Sequence, residues 1–305
     1  MIIMLDEGEL AQVDGVLIVN KPQGMTSHDV VARVRRIIGE KSVGHLGTLD
    51  PMATGVLPLV TGRFTRLAQF YNDADKRYEG RIRFGWATDT YDSDGEPATP
   101  EQPVGFTIEQ LREAAREFTG KIEQFPPPFS AKKIAGVPAY KLARKGHEVA
   151  LEPKQVEVKE FEITEWDGAE ASFRSWVSSG TYLRSLAHDL GKKLGPGAHL
   201  SQLTRTAVRE FTLDQAHSLE EVEQAVREGA LENCFIHPRL VLPEFPAVTA
   251  PAESIARLRN GGAVNLPEFT KAATVRVFAG QRELLAIVRR VAGTLFQPKI
   301  VLKSS

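Results

Sequence analysis

The chain has 305 residues, a length that predicts two domains, and its hydrophobic content of 42% excludes a disordered protein because it supplies material for a large core. The formal net charge of -1 excludes a global attraction to nucleic acid, so an RNA-binding role requires basic residues gathered on one face. The single cysteine excludes a disulfide framework and a cysteine-rich zinc site, and it fits a reducing compartment in which Cys234 is a buried thiol.

The first residues do not resemble a targeting segment. Residues 1–5 are apolar, but acidic residues follow at once, and the segment lacks the basic start and long apolar core of a signal peptide. Apolar runs elsewhere in the sequence are shorter than a membrane span. We therefore expect a cytoplasmic protein without a membrane segment.

A capped helix is the first element with a clear pattern. Thr26 and Asp29 favour a helix start, valines and isoleucines at helical spacing form an apolar stripe, and Gly39 favours its end. The alternation of a later strand slips near Lys159, which indicates a bulge. Mixed helices and strands without strict βαβ alternation predict an α+β domain with a mostly antiparallel central sheet flanked by helices. The predicted elements after the first helix are a strand over 78–86, a helix over 107–118, strands over 155–164 and 171–178, and helices over 183–194 and 218–230.

A second, smaller domain is predicted at the carboxyl end. Prolines punctuate residues 238–251, which indicates a boundary there and gives domains of 1–245 and 246–305. Seven basic residues against one acidic residue between 269 and 305 make the second domain a candidate for RNA binding. Short strand-like runs separated by glycines are typical of a small β-barrel, and they cover 273–278, 284–291 and 295–302.

Residues 44–58 form the most distinctive segment of the chain. They hold one carboxylate, Asp50, among glycines and prolines that constrain the backbone, while Thr48 and Thr54 offer hydroxyls that hold turns. A carboxylate in such a segment has little conformational freedom, as a catalytic group requires. The alternative is that Asp50 caps a turn and that His45 is a satisfied polar group.

This segment closely resembles the catalytic motif of the TruB family of pseudouridine synthases, Gly-Thr-Leu-Asp-Pro-x-Ala-Thr-Gly-Val-Leu-Pro, in which the aspartate is the nucleophile. Residues 180–185, Gly-Thr-Tyr-Leu-Arg-Ser, resemble a second signature of pseudouridine synthases. The resemblance implies that Asp50 is the catalytic carboxylate and that Arg184 pairs with it. The alternative, which composition alone favours, is that Arg184 forms a surface ion pair at the start of a helix.

The resemblance also implies supporting roles for other residues. Tyr78 follows Lys-Arg, as in the family, and is expected to stack on the flipped base, with a core aromatic as the alternative. Tyr182 is expected to contact Tyr78 or the ribose, and Leu203 is expected to line an apolar pocket. His45 is expected to support the flipped RNA conformation. Arg66, just after the catalytic segment, is expected to contact phosphate.

Residues 124–152 are predicted to form an insertion that contacts RNA. Residues 126–146 carry several lysines and arginines interleaved with aromatic residues, and they contain no acidic residue. Their Pro-Pro-Phe-Ser-Ala-Lys-Lys and Tyr-Lys-Leu-Ala-Arg-Lys-Gly strings resemble the RNA-clasping insertion of bacterial family members, which implies that Lys132 and Arg144 contact phosphate. The alternative is a solvated charge run.

The resemblance spans nearly the whole chain and implies an isomerase that acts on tRNA. The expected reaction converts the uridine at position 55 of the T loop to pseudouridine by base flipping, cleavage of the glycosidic bond and rejoining through carbon. By position and size, residues 246–305 resemble the PUA-like domain of this family. The implied partner is the T stem-loop of tRNA, and we expect no cofactor, no metal and a monomer.

Other functions stay open on the sequence. A guide-RNA-dependent synthase shares the aspartate motif, although the basic insertion argues against it. A glycoside hydrolase needs a second catalytic carboxylate at a defined separation from Asp50, and the sequence offers no convincing one. An RNA-folding protein without turnover would retain the same fold. Residues 90–101 have the spacing of a calcium-binding loop, but Thr90 stands at the first ligand position and prolines interrupt the loop. The preferred interpretation is that residues 89–92 form the turn after the strand.

Overall fold

The computed structural model of the protein describes residues 13–129, 133–134, 137–138, 152–267 and 271–302. In this part of the chain, the larger sheet has nine strands. They are β1 (Gly15–Lys21), β2 (Val43–His45), β3 (Thr54–Thr61), β4 (Lys76–Phe84), β5 (Gly120–Gln124), β8 (Lys154–Trp166), β9 (Glu170–Val177), β10 (Ala198–Val208) and β11 (Phe211–Thr212), while β6 (Lys133–Ile134) and β7 (Val137–Pro138) form a separate pair.

The helices begin where the sequence places capping residues. Thr26, Thr107 and Ser218 each accept a hydrogen bond from the backbone three residues later, and the side chain at that later position bonds back. The first helix ends at Gly39, whose φ of 68° is the left-handed conformation that glycine adopts readily. The helices are α1 (Ser27–Ile38), α2 (Ile108–Arg116), α3 (Leu183–Leu194), α4 (Leu219–Arg227) and α5 (Ala252–Arg259), and a 3-10 helix covers Gly62–Tyr71.

The larger sheet has the strand order β1-β3-β10-β4-β9-β8-β5, and each neighbouring pair is antiparallel except β3 with β10. The pairing of β8 with β9 shifts register between Val158 and Glu160, which confirms the predicted bulge. The sequence patterns did not predict β1 or β3. Almost every residue of these two strands is buried, so they lack the alternation that marks a strand with one wet face.

A second, five-stranded sheet occupies the carboxyl-terminal region. Its order is β12-β14-β15-β16-β13, with β12 parallel to β14 and the other pairs antiparallel. These features confirm an α+β fold with mostly antiparallel sheets, while the domain boundary at residue 245 stays a prediction. The strands are β12 (Ala247–Thr249), β13 (Val264–Asn265), β14 (Thr274–Ala279), β15 (Glu283–Ala292) and β16 (Leu295–Val301).

The two sheets share an apolar core. Val16 and Phe64 on the side of the larger sheet belong to the same buried cluster as Phe278 and Leu302. Arg276, one of the basic residues of the carboxyl-terminal region, is buried in this junction and donates to the carbonyl groups of Phe245 (2.6 Å), Arg239 (2.6 Å) and Val241 (2.8 Å). Arg276 therefore stabilises the junction of the two sheets instead of adding to an exposed basic surface.

Two further expectations from the sequence concern Cys234 and the helices. Cys234 is buried, as expected for a structural thiol. Among the described residues, the helices are all too short or too polar to cross a membrane.

Candidate active site

Asp50 lies in the loop between β2 and β3, and residues near the amino terminus hold that loop. The Ser27 hydroxyl donates to the Leu49 carbonyl (3.1 Å) and accepts from the Leu49 amide (2.8 Å). The buried Lys21 amine donates to the Pro51 carbonyl at 3.3 Å, and to two carbonyls of its own loop, those of Pro22 and Met25. Burial lowers the pKa of Lys21 to about 8, and the Asp50 carboxylate opposes this shift.

Arg205 on β10 is fully buried and holds the other side of the same loop. Burial lowers the pKa of the Arg205 guanidinium, and the neighbouring Tyr78 opposes this shift. Arginine suits this position because its planar group carries five donors in a fixed geometry. Its loop contacts are all to backbone carbonyls, those of Val56 (2.7 Å from Nε), Thr48 (3.2 Å from Nη1) and Gly47 (2.9 Å from Nη2).

Gly55 allows β3 and β10 to meet closely just after the Asp50 loop. It lies opposite Arg205 in the parallel pairing of the two strands, and its φ is 99°. A Cβ atom at this position would lie 2.3 Å from the Arg205 carbonyl oxygen. Glycine is therefore required here by both conformation and space.

Arg184 joins Asp50 to a second loop. Its Nε lies 2.9 Å from Oδ2 of Asp50, and its Nη1 lies 3.2 Å from Oδ2 of Asp92. Nη1 also donates to the Thr90 carbonyl and Nη2 to the Phe129 carbonyl, each at 3.1 Å. The side chains of Arg184 and Asp92 are 6% and 5% exposed, whereas that of Asp50 is 38% exposed. Asp50 is thus the accessible carboxylate of the three-residue network.

The start of α3 is held so that Arg184 faces this network. The buried Gln124 side chain accepts from the Tyr182 amide (2.8 Å) and donates to the Tyr182 carbonyl (3.0 Å). The Ser185 hydroxyl donates to the Phe125 carbonyl at 2.8 Å. These contacts fix the first helical turn on both sides of Arg184.

The electrostatic setting of Asp50 combines opposing effects. Burial raises the pKa of the Asp50 carboxyl, the Arg184 guanidinium lowers it, and the neighbouring Asp92 carboxylate raises it again. The net direction is a raised pKa. Because its pKa is raised, the Asp50 carboxylate is more basic than that of a surface aspartate, while the cation holds it in place. These properties suit a nucleophile or a base.

The opposite side of the site is apolar. Tyr78 on β4 and Leu203 on β10 are each 7% exposed. They belong to one buried cluster with Leu49 and Met52, which flank Asp50, and with Leu183, which precedes Arg184. An apolar wall next to an ion-paired carboxylate can receive the face of a nucleobase.

His45 lies at the entrance of the Asp50 loop as a neutral side chain. Its Nδ1 accepts a hydrogen bond from the Gly47 amide at 3.3 Å, and its ring makes an edge contact with His28 at 5.5 Å between centroids. Burial lowers the pKa of His45, and the neighbouring His28 acts in the same direction. His45 therefore supports the loop backbone, and its expected RNA contact stays a prediction.

Comparison with known proteins identifies the family. Residues 35–183 match the model "TruB family pseudouridylate synthase (N terminal domain)", and residues 184–243 match "tRNA pseudouridylate synthase B C-terminal domain". Over 293 residues the chain is 47% identical to tRNA pseudouridine synthase B of Solibacter usitatus (strain Ellin6076), which covers 95% of this chain and 100% of that protein. The chain belongs to the TruB family of pseudouridylate synthases. It is therefore a pseudouridine synthase, an isomerase.

Further comparisons agree with the TruB assignment. The chain is 39% identical over 283 residues to tRNA pseudouridine synthase B of Bacillus cytotoxicus (strain DSM 22905 / CIP 110041 / 391-98 / NVH 391-98), covering 90% of this chain and 92% of that protein. A solved structure of an H/ACA RNP bound to a substrate RNA containing 2'-deoxyuridine includes a chain with a TM-score of 0.70 and 23% identity, over 95% of this chain and 85% of that one. This last likeness concerns the fold.

The structure pairs Arg184 with Asp50 and places Tyr78 and Leu203 in the buried cluster that contains Leu49 and Met52, while the roles of these residues stay predictions. Arg66 donates to the Val301 carbonyl at 2.5 Å, at the contact with the carboxyl-terminal sheet, and it is exposed, so its expected phosphate contact stays a prediction. The backbone of Tyr182 caps α3, and its role toward the ribose stays a prediction. Lys132 and Arg144 lie outside the described residues.

Sequence reasoning missed three residues of the TruB site, namely Asp92, Arg205 and Lys21. The turn predicted at residues 89–92 is present, and it also supplies Asp92 to Arg184. Within the described part of the chain, His, Cys, Asp and Glu side chains form no cluster of three or more that could hold a metal. Among the described residues, the Asp92 carboxylate lies across Arg184 from Asp50, and its 5% exposure keeps it away from a substrate.

Proposed function

We propose that this TruB family member converts the uridine at position 55 in the T loop of tRNA to pseudouridine, and that the reaction depends on Asp50. The observation that carries the proposal is the Arg184 to Asp50 contact of 2.9 Å beside the buried Tyr78 and Leu203. The names of the curated relatives, tRNA pseudouridine synthase B, support tRNA as the substrate.

The reaction is an isomerisation whose atoms balance within the nucleotide. The bond between uracil N1 and ribose C1′ breaks, the base turns within the pocket, and a bond forms between C5 and C1′. The proton on C5 leaves and N1 gains one, so no oxidant or reductant is consumed. This chain must supply a group that assists glycosidic cleavage, a proton acceptor and an apolar surface that holds the detached base.

Asp50 supplies the reactive carboxylate of this scheme. It can attack ribose C1′, attack the uracil ring, or remove a ribose proton to give a glycal, and each route needs an ionised and aimed carboxylate. Arg184 keeps it aimed. A base inside the T-loop stack is out of reach of Asp50, so the target base must flip out of the stack. Tyr78 then stacks on the flipped base, and Leu203 completes the apolar wall.

The remaining RNA contacts are assigned by the family resemblance. His45 supports the flipped conformation, Tyr182 contacts the ribose or Tyr78, and Arg66 contacts phosphate together with the basic residues Lys132 and Arg144. The partner is the T stem-loop, which is recognised by loop shape and by stacking. We expect the enzyme to act as a monomer without a metal or cofactor.

The test is tritium release from a tRNA transcript labelled at C5 of uridine, without guide RNA. The wild-type protein should release label from tRNA and from an isolated T stem-loop, and a transcript with cytidine at position 55 should release none. Asp50→Asn should bind tRNA but form no product. Product at another position, a requirement for guide RNA, or near wild-type turnover by Asp50→Asn would overturn the proposal.

A further inference from the structure

Tyr91 stacks on His188 at the back of the Arg184 network. The ring centroids are 3.7 Å apart and the planes differ by 14°. His188 follows Arg184 by one helical turn on α3, so the two side chains lie on the same face of the helix. Tyr91 lies between Thr90 and Asp92, both of which contact Arg184. The loop and the helix therefore meet at two points, one charged and one aromatic.

Tyr91 adopts an unfavourable backbone conformation. Its φ of 66° is in the left-handed region, where a bulky side chain is an outlier. Strain of this kind persists only where the surroundings enforce it, and it concentrates at functional sites. Here it lets the Thr90 carbonyl and the Asp92 carboxylate approach the same nitrogen of Arg184. Part of the enforcement comes from the Tyr91 carbonyl, which accepts from the Leu200 amide at 3.0 Å.

The His188 ring contributes a plane rather than a hydrogen bond at Nδ1. Within the described part of the chain, this buried nitrogen has no hydrogen-bond partner. Burial also lowers the pKa of His188, which keeps the ring neutral. A buried polar atom without a partner is costly, so the position tolerates histidine for its flat ring.

We propose that the stack of Tyr91 on His188 is a clamp that holds Thr90 and Asp92 against Arg184. Tyr91 and His188 are then positioning residues for the Asp50 reaction. The inference rests on the proposed function, because the clamp acts through Arg184 on the carboxylate that performs the chemistry.

Variants that delete or replace the Tyr91 and His188 rings test the clamp. The measurements are kcat and KM on tRNA, and the thermal midpoint of the protein. Tyr91→Ala and His188→Ala should each lower kcat by ~10-fold or more and change KM by less than ~3-fold, because the misplaced group acts on chemistry rather than binding. Tyr91→Phe and His188→Phe keep both planes and should retain kcat within ~3-fold of wild type. His188→Phe should also keep or raise the thermal midpoint, since it removes the unpartnered nitrogen.

A double-mutant cycle separates positioning from general destabilisation. If Tyr91 acts through Asp92, the kcat losses of Tyr91→Ala and Asp92→Asn should not add in the combined variant. The matched control is Phe70→Ala, which removes a ring that pairs with Phe245 beside the carboxyl-terminal sheet. It should lower the thermal midpoint and leave kcat unchanged.

Three results would overturn the clamp. They are wild-type kcat in Tyr91→Ala, losses that the phenylalanine variants do not restore, and additive losses in the cycle. These outcomes leave the proposed function intact when the wild-type protein is active on tRNA. An inactive wild-type protein would instead overturn the proposed function itself.

Discussion

The Nε of Arg184 lies 2.9 Å from Oδ2 of Asp50, which leaves both terminal nitrogens of the guanidinium for other partners. Those nitrogens contact the Thr90 and Phe129 carbonyls and the Asp92 carboxylate. Asp50 is therefore held by one edge of a group that the protein anchors at three further points. This arrangement keeps Asp50 aimed while its side chain, 38% exposed, stays accessible to a substrate.

Arg184→Lys should abolish most activity although it conserves the charge. A single ammonium cannot span Asp50, Asp92 and the two carbonyls, so we expect kcat to fall by ~100-fold with little change in KM. The free energy of unfolding should also fall, by roughly 3 kcal/mol if the buried Asp92 loses its pairing altogether. Single-turnover kinetics and urea unfolding measure the two effects. Arg33→Lys, which alters a surface ion pair with Glu220, is the control and should change neither. Retention of kcat within a few-fold would contradict the anchoring role.

Asp92→Asn should shift the acidic limb of the pH profile of kcat to lower pH. In the proposed reaction Asp50 acts as an ionised carboxylate, so activity should be lost as pH falls through the pKa of Asp50, which burial and Asp92 raise. Removing the Asp92 charge lowers the pKa of Asp50, while the plateau of kcat falls because Arg184 loses a partner. Asp94→Asn, at an exposed neighbouring carboxylate, is the control and should give a smaller shift. An unmoved limb, or a limb moved to higher pH, would count against this coupling.

Gly55→Ala should destabilise the protein far more than Gly120→Ala. The two glycines have nearly equal positive φ values, 99° and 98°, so both variants incur backbone strain of about 1–3 kcal/mol. Only at Gly55 would the new Cβ meet backbone, 2.3 Å from the Arg205 carbonyl oxygen, whereas at Gly120 it meets nothing within 4 Å. We expect Gly55→Ala to cost roughly 1–3 kcal/mol more. Urea unfolding of both variants measures the difference, and equal losses would show that β3 moves freely.

Gln124→Leu should loosen the first turn of α3. It leaves the amide and carbonyl of Tyr182 without the partners that Gln124 provides, at a cost of roughly 1–3 kcal/mol in the free energy of unfolding. Because the turn carries Arg184, kcat should fall as well. Gln224→Leu removes a comparable amide that bonds Glu228 on the surface of α4, and it should affect neither quantity. If both variants behave alike in urea unfolding and in tRNA turnover, the bracing role of Gln124 is wrong.

Local signals predicted much of the fold. Thr26 and Ser218 cap helices because a cap depends on residues three positions apart, and such a pattern is visible in the sequence. The helix predicted over 218–230 ends at Arg227, and the strands β1 and β3 were not predicted. Helix ends fray within a turn, and strands buried on both faces show no alternation.

Basic residues show why charge counts do not locate an RNA surface. Arg276 belongs to the basic carboxyl-terminal region, yet it is buried against three backbone carbonyls. Arg66 reaches a carbonyl of β16. A guanidinium binds a backbone carbonyl as readily as a phosphate, so the sequence cannot distinguish a structural arginine from one that contacts a ligand.

The sequence by itself determined the family and its central pair, because the Asp50 and Arg184 motifs are long and specific. Only the tertiary structure decided what surrounds them. Asp92 and Arg205 reach the site across long separations in sequence, through a turn and a strand whose sequences did not reveal these contacts. A motif records a local constraint on the backbone, whereas the pKa and orientation of a carboxylate depend on every charge and dipole that folding brings near it.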